Sequence, residues 1–221
     1  MTILLLIRHA SNDYLKAGRL AGWTPGVHLN AQGQAEANTL AQRLNHVALH
    51  AIYASPLERA QETAHAVAQC QQLAVHTRVE LGEVNAGEWT GKAIKDLEQT
   101  DAWKRMLAQP VDFCLPGGEG IAQVQTRMIV ALEQIIAAHP HQTVAIFSHA
   151  DPIKAVVAHY LGMHLNQFNK IVIDPASVTV FFFDELGAKL FRLNDAGALP
   201  EFKPAHAPAE QSQGVANNGR D

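Results

Sequence analysis

Five consecutive aliphatic residues, Ile3–Ile7, run straight into Arg8 and His9, and a second apolar stretch, Thr143–Ser148, runs into His149. Short apolar runs without alternation predict strands buried on both faces, as at the centre of a parallel sheet. Between them the period changes. Ala37, Leu40, Ala41, Leu44 and Val47 recur at three and four, which predicts a helix from Ala31 to about His46 with Asn30 as its N-cap. Ala51–Ala54 reads as a short strand, a helix with Ala60, Ala64, Val67 and Ala68 continues to about Gln72, and Val75–Val79 alternates as another strand. Short helices over Lys92–Glu98 and Asp101–Gln109 carry Ile94, Leu97, Trp103 and Leu107. This excursion is able to roof a pocket, although ordinary packing is the expected role of its tryptophan and leucines. A long helix then presents Ile121, Val124, Met128, Leu132 and Ile135 on one face. Val178–Phe183 and Lys189–Leu193, joined by Asp184–Gly187, predict a hairpin that ends the sheet with an antiparallel pair.

The junctions carry the polar chemistry. Ser11 to Asn30 contains Gly18, Gly22, Pro25 and Gly26 and is expected to be a loop beside the end of the first strand. At Ser55-Pro56-Leu57-Glu58-Arg59, Ser55 is expected to cap the following helix, Pro56 to occupy its first position and Glu58 to complete a capping box. Arg59 then lies in the first turn, where unpaired N–H groups and the positive dipole end also favour an anion. Asp151-Pro152 is expected to repeat the device after His149. In the glycine-rich segment after the third strand, Glu83 and Glu88 are both candidates for a buried acid, and Glu119 suits a helix N-terminus through the dipole.

Composition narrows the class. A chain of 221 residues with 48% hydrophobic content can bury one large core. Its formal net charge of -4 argues against a nucleic-acid or membrane-surface partner, so any anion site is local and small. Cys70 and Cys114 lack CxxC spacing, so neither a disulfide framework nor a thiolate metal site is indicated, and a cytoplasmic location is expected. No segment approaches twenty apolar residues, and neither a basic leader nor a cleavage site accompanies the N-terminal run. There is no phosphate-binding loop of the G-x-x-x-x-G-K-[ST] type and no H-E-x-x-H pair, and neither a metal nor a cofactor is expected. Residues 1–194 are expected to form the working domain. Residues 195–221, rich in Ala, Pro, Gln and Asn, are expected to form a mobile tail.

Arg8, His9, Arg59 and His149 each follow a strand's carboxyl end, which in a parallel sheet brings them to one rim. Guanidinium forks and imidazoles suit a phosphoryl group, as grips for its oxygens and as nucleophile or proton donor.

Arg8-His9-Ala10, Ser55–Ala60, the Glu83…Gly87…Gly91 segment, Pro116-Gly117-Gly118-Glu119 and Ser148-His149-Ala150 together resemble the histidine phosphatase superfamily, in the branch that includes cofactor-dependent phosphoglycerate mutase. The resemblance covers about residues 3–193. Leu20–Asn30 also resembles a subgroup described as probable phosphomutases or phosphatases. Ala10 and Ser11 depart from the pattern, since the family commonly has glycine and an acidic residue there. The resemblance implies an α/β fold, a three-layer αβα sandwich with a mostly parallel central sheet and an antiparallel edge strand. It implies His9 as the phospho-accepting nucleophile, Arg8, Arg59 and His149 as the rest of the phosphate pocket, and Glu83 as the proton donor. In the mechanism expected from these roles, His9 is neutral, with its second ring nitrogen donating to a backbone carbonyl, and His149 is protonated. The favoured function is a phosphomonoester hydrolase acting on a small phosphorylated metabolite. A phosphoglycerate mutase-type phosphomutase and a non-catalytic phospho-ligand or protein-binding module are the alternatives, and the oligomeric state is left open.

Overall fold

In the computed structural model, which describes residues 1–197, the chain begins with β1 (Thr2–Arg8), a one-turn helix α1 (Asp13–Lys16) and α2 (Ala31–Leu44). It continues through β2 (Ala51–Ala54), α3 (Glu58–Gln71), β3 (Val75–Thr77), α4 (Ile94–Leu97), α5 (Asp101–Ala108) and α6 (Ile121–Ala138). β4 (Thr143–Ser148), α7 (Ala150–Tyr160), β5 (Val178–Asp184) and β6 (Gly187–Asp195) complete it. The strands form one sheet in the order β3-β2-β4-β1-β5-β6. β3, β2, β4 and β1 are mutually parallel, whereas β5 runs antiparallel to β1 and pairs with β6 as the expected hairpin.

β1 explains why its sequence lacks alternation. Successive side chains of a strand point to opposite faces, and here both faces are covered. Leu4 and Leu6 join a core with Val124, Met128 and Leu132 of α6 and with Val156 and Val157 of α7. Ile3, Leu5 and Ile7 join another with Leu40 and Leu44 of α2 and Val67 of α3. Burying each such side chain contributes roughly 1.5–3 kcal/mol, so an apolar residue at every position of β1 holds both helical layers to the sheet. This is the expected three-layer αβα arrangement.

Asn30 caps α2 as expected, its side chain accepting from Gly33 N–H. Two expectations fail locally. β3 stops at Thr77, and Val79–Leu81 forms a 3₁₀ turn. β3 lies at the sheet edge and Val79 is 60% exposed, so the alternation there has little core to bury. Ser55 does not cap α3 either. The helix starts at Glu58, Leu57 is the capping residue without a side-chain bond, and the Glu58 carboxylate instead accepts from Gly26 N–H. At the other end β6 runs through Asp195, which Arg43 of α2 grips. The segment for which a mobile tail is expected lies outside the described residues from 198 onward. Among the described residues no helix is long and apolar enough to cross a membrane.

Candidate active site

β1 and β4 are parallel neighbours in a register that pairs Arg8 with Ser148. The next residue on each strand is a histidine, so His9 and His149 meet at the carboxyl rim with ring centroids 5.0 Å apart. From β1 the chain crosses by α2 to β2, and from β4 it crosses by α7 on the opposite face to β5. The crevice between them is therefore a topological switch point, where open α/β sheets take ligands.

His9 is 3% exposed. Its Nδ1 lies 2.8 Å from Ala10 O, so Nδ1 carries the proton and donates to that carbonyl, and Nε2 keeps a lone pair. Arg59 Nε donates to Nε2 at 3.3 Å. Burial, then the Arg59 and Arg8 guanidiniums, hold His9 well below the usual histidine range, so the ring is neutral at pH 7. Arg59 is 1% exposed in the first turn of α3, with Nη2 donating to Gly22 O at 2.9 Å. Arg8 is fixed by Nη1 donating to Ile173 O at 2.6 Å.

His149 caps α7 by its backbone conformation, and Asp151 sits within the first turn with its carboxylate on Lys154 Nζ at 3.0 Å. The expected Asp151 cap is thus displaced by two residues, because β4 ends directly against the helix. His149 Nε2 bonds Ser55 Oγ at 2.8 Å, which is where the serine expected to cap α3 is used. The expected protonated His149 is also corrected. Full burial, with Arg59, His9 and Arg8 adding to it, pushes its pKa well down, so the imidazole is neutral at pH 7.

Glu83 reaches the site from the segment after the 3₁₀ turn, with Oε2 3.8 Å from His149 Nδ1 and Oε1 accepting from Val84 N–H at 2.9 Å. Burial and the neighbouring Asp151 raise its pKa to about 7, against the opposing pull of Arg59 and Arg8. Glu88 is exposed and does not line the cavity that Glu83 lines. Glu119, expected to serve the helix dipole, instead pairs with Arg127 at 2.9 Å and accepts from Asn85 N–H. Arg127 in turn donates to the carbonyls of Glu80, Gly82 and Glu83, and Trp23 Nε1 donates to Glu83 O. Pro116–Glu119 is therefore a buttress for the segment bearing the acid. Gly118 packs so close to it that a Cβ there would lie 2.1 Å from Asn85 O.

Among the described residues, seven buried side-chain nitrogens or oxygens have no hydrogen-bond partner. Four of them belong to this one place: Arg8 Nε, Arg59 Nη1, His149 Nδ1 and Asn12 Nδ2. Leaving a buried donor unpaired costs about 1–3 kcal/mol. Such a concentration of donors suits an anion whose oxygens only accept, and phosphoryl oxygens meet that requirement. Sequence reasoning missed Asn12, which it placed in a loop. Asn12 caps α1 with its Oδ1 on Leu15 N–H, a recognisable turn device, but only the fold turns its Nδ2 inward.

The arrangement opens into a cavity of about 330 Å³ with Arg8, His9, Asn12, Arg59 and Glu83 among its lining. Trp89, Trp103, Met106 and Leu107 form part of its lining, so Trp103 and Leu107 of the excursion do more than pack on neighbouring side chains. Ala10 is fully buried, and Ser11, in place of an acidic residue, bonds through N–H and Oγ to the Glu36 carboxylate from α2.

The chain is similar to several known phosphatases. The chain is 31% identical over 204 residues to phosphoserine phosphatase 1 of Hydrogenobacter thermophilus, covering 91% of this chain and 96% of that one. It is 30% identical over 165 residues to the adenosylcobalamin/alpha-ribazole phosphatase of Escherichia coli, covering 72% and 79% of the two chains. A solved mutant phosphoserine phosphatase from Entamoeba histolytica, in complex with phosphoserine, superposes with a TM-score of 0.81 at 26% identity, covering 90% of this chain and 100% of that one. Residues 4–196 match the model of the histidine phosphatase superfamily (branch 1), and this chain belongs to that family.

Proposed function

We propose that the chain is a phosphomonoester hydrolase for a small phosphorylated metabolite, working through a phosphohistidine on His9. The observation that carries this reading is an unprotonated His9 Nε2, held only by the long Arg59 Nε hydrogen bond, among four unpartnered donors, with an acid of pKa about 7 beside them. In the first step Nε2 attacks phosphorus and the P–O ester bond breaks. Arg8, Arg59, Asn12 and His149 Nδ1–H take the charge on the phosphoryl oxygens, and protonated Glu83 gives its proton to the leaving oxygen. Ser55 O–H donates to His149 Nε2, which keeps the His149 proton on Nδ1. In the second step ionised Glu83 takes a proton from water as that water attacks phosphorus. The P–N bond then breaks and His9 returns to its neutral state. The phosphatase names of the relatives support hydrolysis over mutase chemistry, and the unpaired, exposed Cys70 and Cys114 support a cytoplasmic location.

The test is rapid acid quench with ³²P-labelled monoester. Label bound to the wild-type chain should be lost in acid and stable in base, and absent from His9→Ala, whose circular dichroism should be unchanged. Equal labelling of His9→Ala refutes the assignment. Interconversion of 3- and 2-phosphoglycerate faster than phosphate release from every monoester tested would replace the hydrolase by a mutase.

A further inference from the structure

The cavity lining joins a donor cluster, Arg8, His9, Asn12 and Arg59, to a group of large apolar side chains. Leu20, Trp89, Trp103, Met106, Leu107 and Phe168 surround the space that a leaving group must enter once its phosphate is seated on Arg8, His9 and Arg59. Three of these come from α5, an eight-residue helix with no fully buried residue, although Trp103 packs on Trp89 at 5.7 Å between ring centroids. A helix whose apolar side chains are only partly covered by its own fold has apolar area left to bury, and here that area faces the cavity. The lining cations Lys154 and Arg19 each hold one protein partner, and both keep their charge. Lys154 Nζ is 3.0 Å from the Asp151 carboxylate and 5.7 Å above the Phe168 ring, and Arg19, exposed at the mouth, gives its Nε to Gly91 O. A carboxylate on the leaving group would lose water against these apolar side chains, which is costly wherever Arg19 does not reach it. A flat apolar group would gain contact with two indole faces and a thioether. The volume of about 330 Å³ also lies within the range of sites that enclose ligands well above the size of a three-carbon acid.

We propose that the cavity beneath α5 selects phosphomonoesters whose alcohol bears an aromatic or bulky apolar group, in preference to small carboxylated ones. The proposal rests on the hydrolase reading above and names the substrate class of the same site. Burial of one aromatic ring should favour the matching ester by about ten- to a hundred-fold in kcat/KM.

The experiment compares primary alkyl esters, so that the chemistry of the leaving oxygen is similar and only its substituent differs. The full chain is assayed for phosphate release from 2-(1-naphthyl)ethyl phosphate, glycerol 1-phosphate, L-phosphoserine and 3-phosphoglycerate. The expected result is a kcat/KM at least ten-fold higher for the naphthyl ester, arising mainly from KM. Trp103→Ala should reduce that ratio at least five-fold. Leu107→Ala, at a position 45% exposed and so tolerant of truncation, should reduce it two- to three-fold. Equal or better use of the carboxylated esters overturns this inference while leaving the hydrolase intact, as does a preference that survives both substitutions. Failure to release phosphate from any of the four, with no acid-labile phosphoenzyme, overturns both.

Discussion

Glu83→Gln separates the catalytic and the energetic consequences of one buried carboxyl. The substitution keeps the shape, and its amide oxygen can still accept from Val84 N–H, as Oε1 does at 2.9 Å. It removes the proton that the leaving oxygen needs. Loss of general acid catalysis costs on the order of 10²–10⁴-fold, and the loss should be large for an alkyl ester and small for p-nitrophenyl phosphate, whose leaving group needs no proton. Stability should move the other way. Because burial and Asp151 raise the Glu83 pKa from an ordinary 4.5 to about 7, the folded chain binds a proton that the unfolded chain has released between those values. Wild-type stability therefore falls as pH rises through this window, by at most about 3.5 kcal/mol at roughly 1.4 kcal/mol per unit. Solvent reaching the carboxyl, which is 20% exposed, reduces that figure. The glutamine variant has no such term, so it should be the more stable chain at pH 8 and should lose the advantage below pH 5. Urea unfolding of both chains at pH 5, 7 and 8 measures the difference. Wild-type kcat/KM should correspondingly fall above about pH 7 as Glu83 ionises. A stability difference that does not change with pH, or an equal rate loss on both esters, would refute the reasoning.

Two further substitutions test the support of the acid. Arg127→Lys replaces a planar fork that bonds three carbonyls and the Glu119 carboxylate with a point charge that cannot span them. It should lower kcat about ten- to a hundred-fold with KM nearly unchanged, and cost about 2 kcal/mol in urea unfolding. Gly118→Ala places a Cβ 2.1 Å from Asn85 O and 2.8 Å from Gly87 N, both backbone atoms that cannot swing away. The loop must shift, at about 1–3 kcal/mol of stability, and kcat should fall with it, whereas unchanged kinetics and unfolding would show that the contact is not held in solution.

Much of the fold was legible because its physical cause is local. The unbroken run of β1 needs two covered faces, the period of α2 needs one, and both elements appear at or near the expected residues. β2 and β4 match their expected spans for the same reason. Junction details were less legible, because a polar side chain at a helix start has several possible partners. By its neighbours in sequence Ser55 suits a cap, yet it bonds His149, a residue 94 positions away. By its place in sequence Glu119 suits a helix dipole, yet it pairs with Arg127 and accepts from Asn85 N–H.

The amino-acid sequence by itself determined that a buried strand delivers Arg8 and His9 to a sheet rim, that Arg59 and His149 arrive at similar ends, and that the set suits a phosphoryl group. Those facts follow from apolar run length, helix period and the fixed polarity of parallel strands, all short-range properties. What only the tertiary structure decided were the protonation states and the fourth donor. A histidine's charge depends on the guanidiniums and the burial around it, so neutral His149 emerges only when Arg59 and His9 are packed against it. Glu83 becomes an acid of pKa about 7 only when the fold removes its water and sets Asp151 nearby, and Asn12 offers a buried, unpaired Nδ2 only when the fold brings it to the cavity that His9 lines. Electrostatic and desolvation energies are sums over neighbours in space, and the chain order does not contain them.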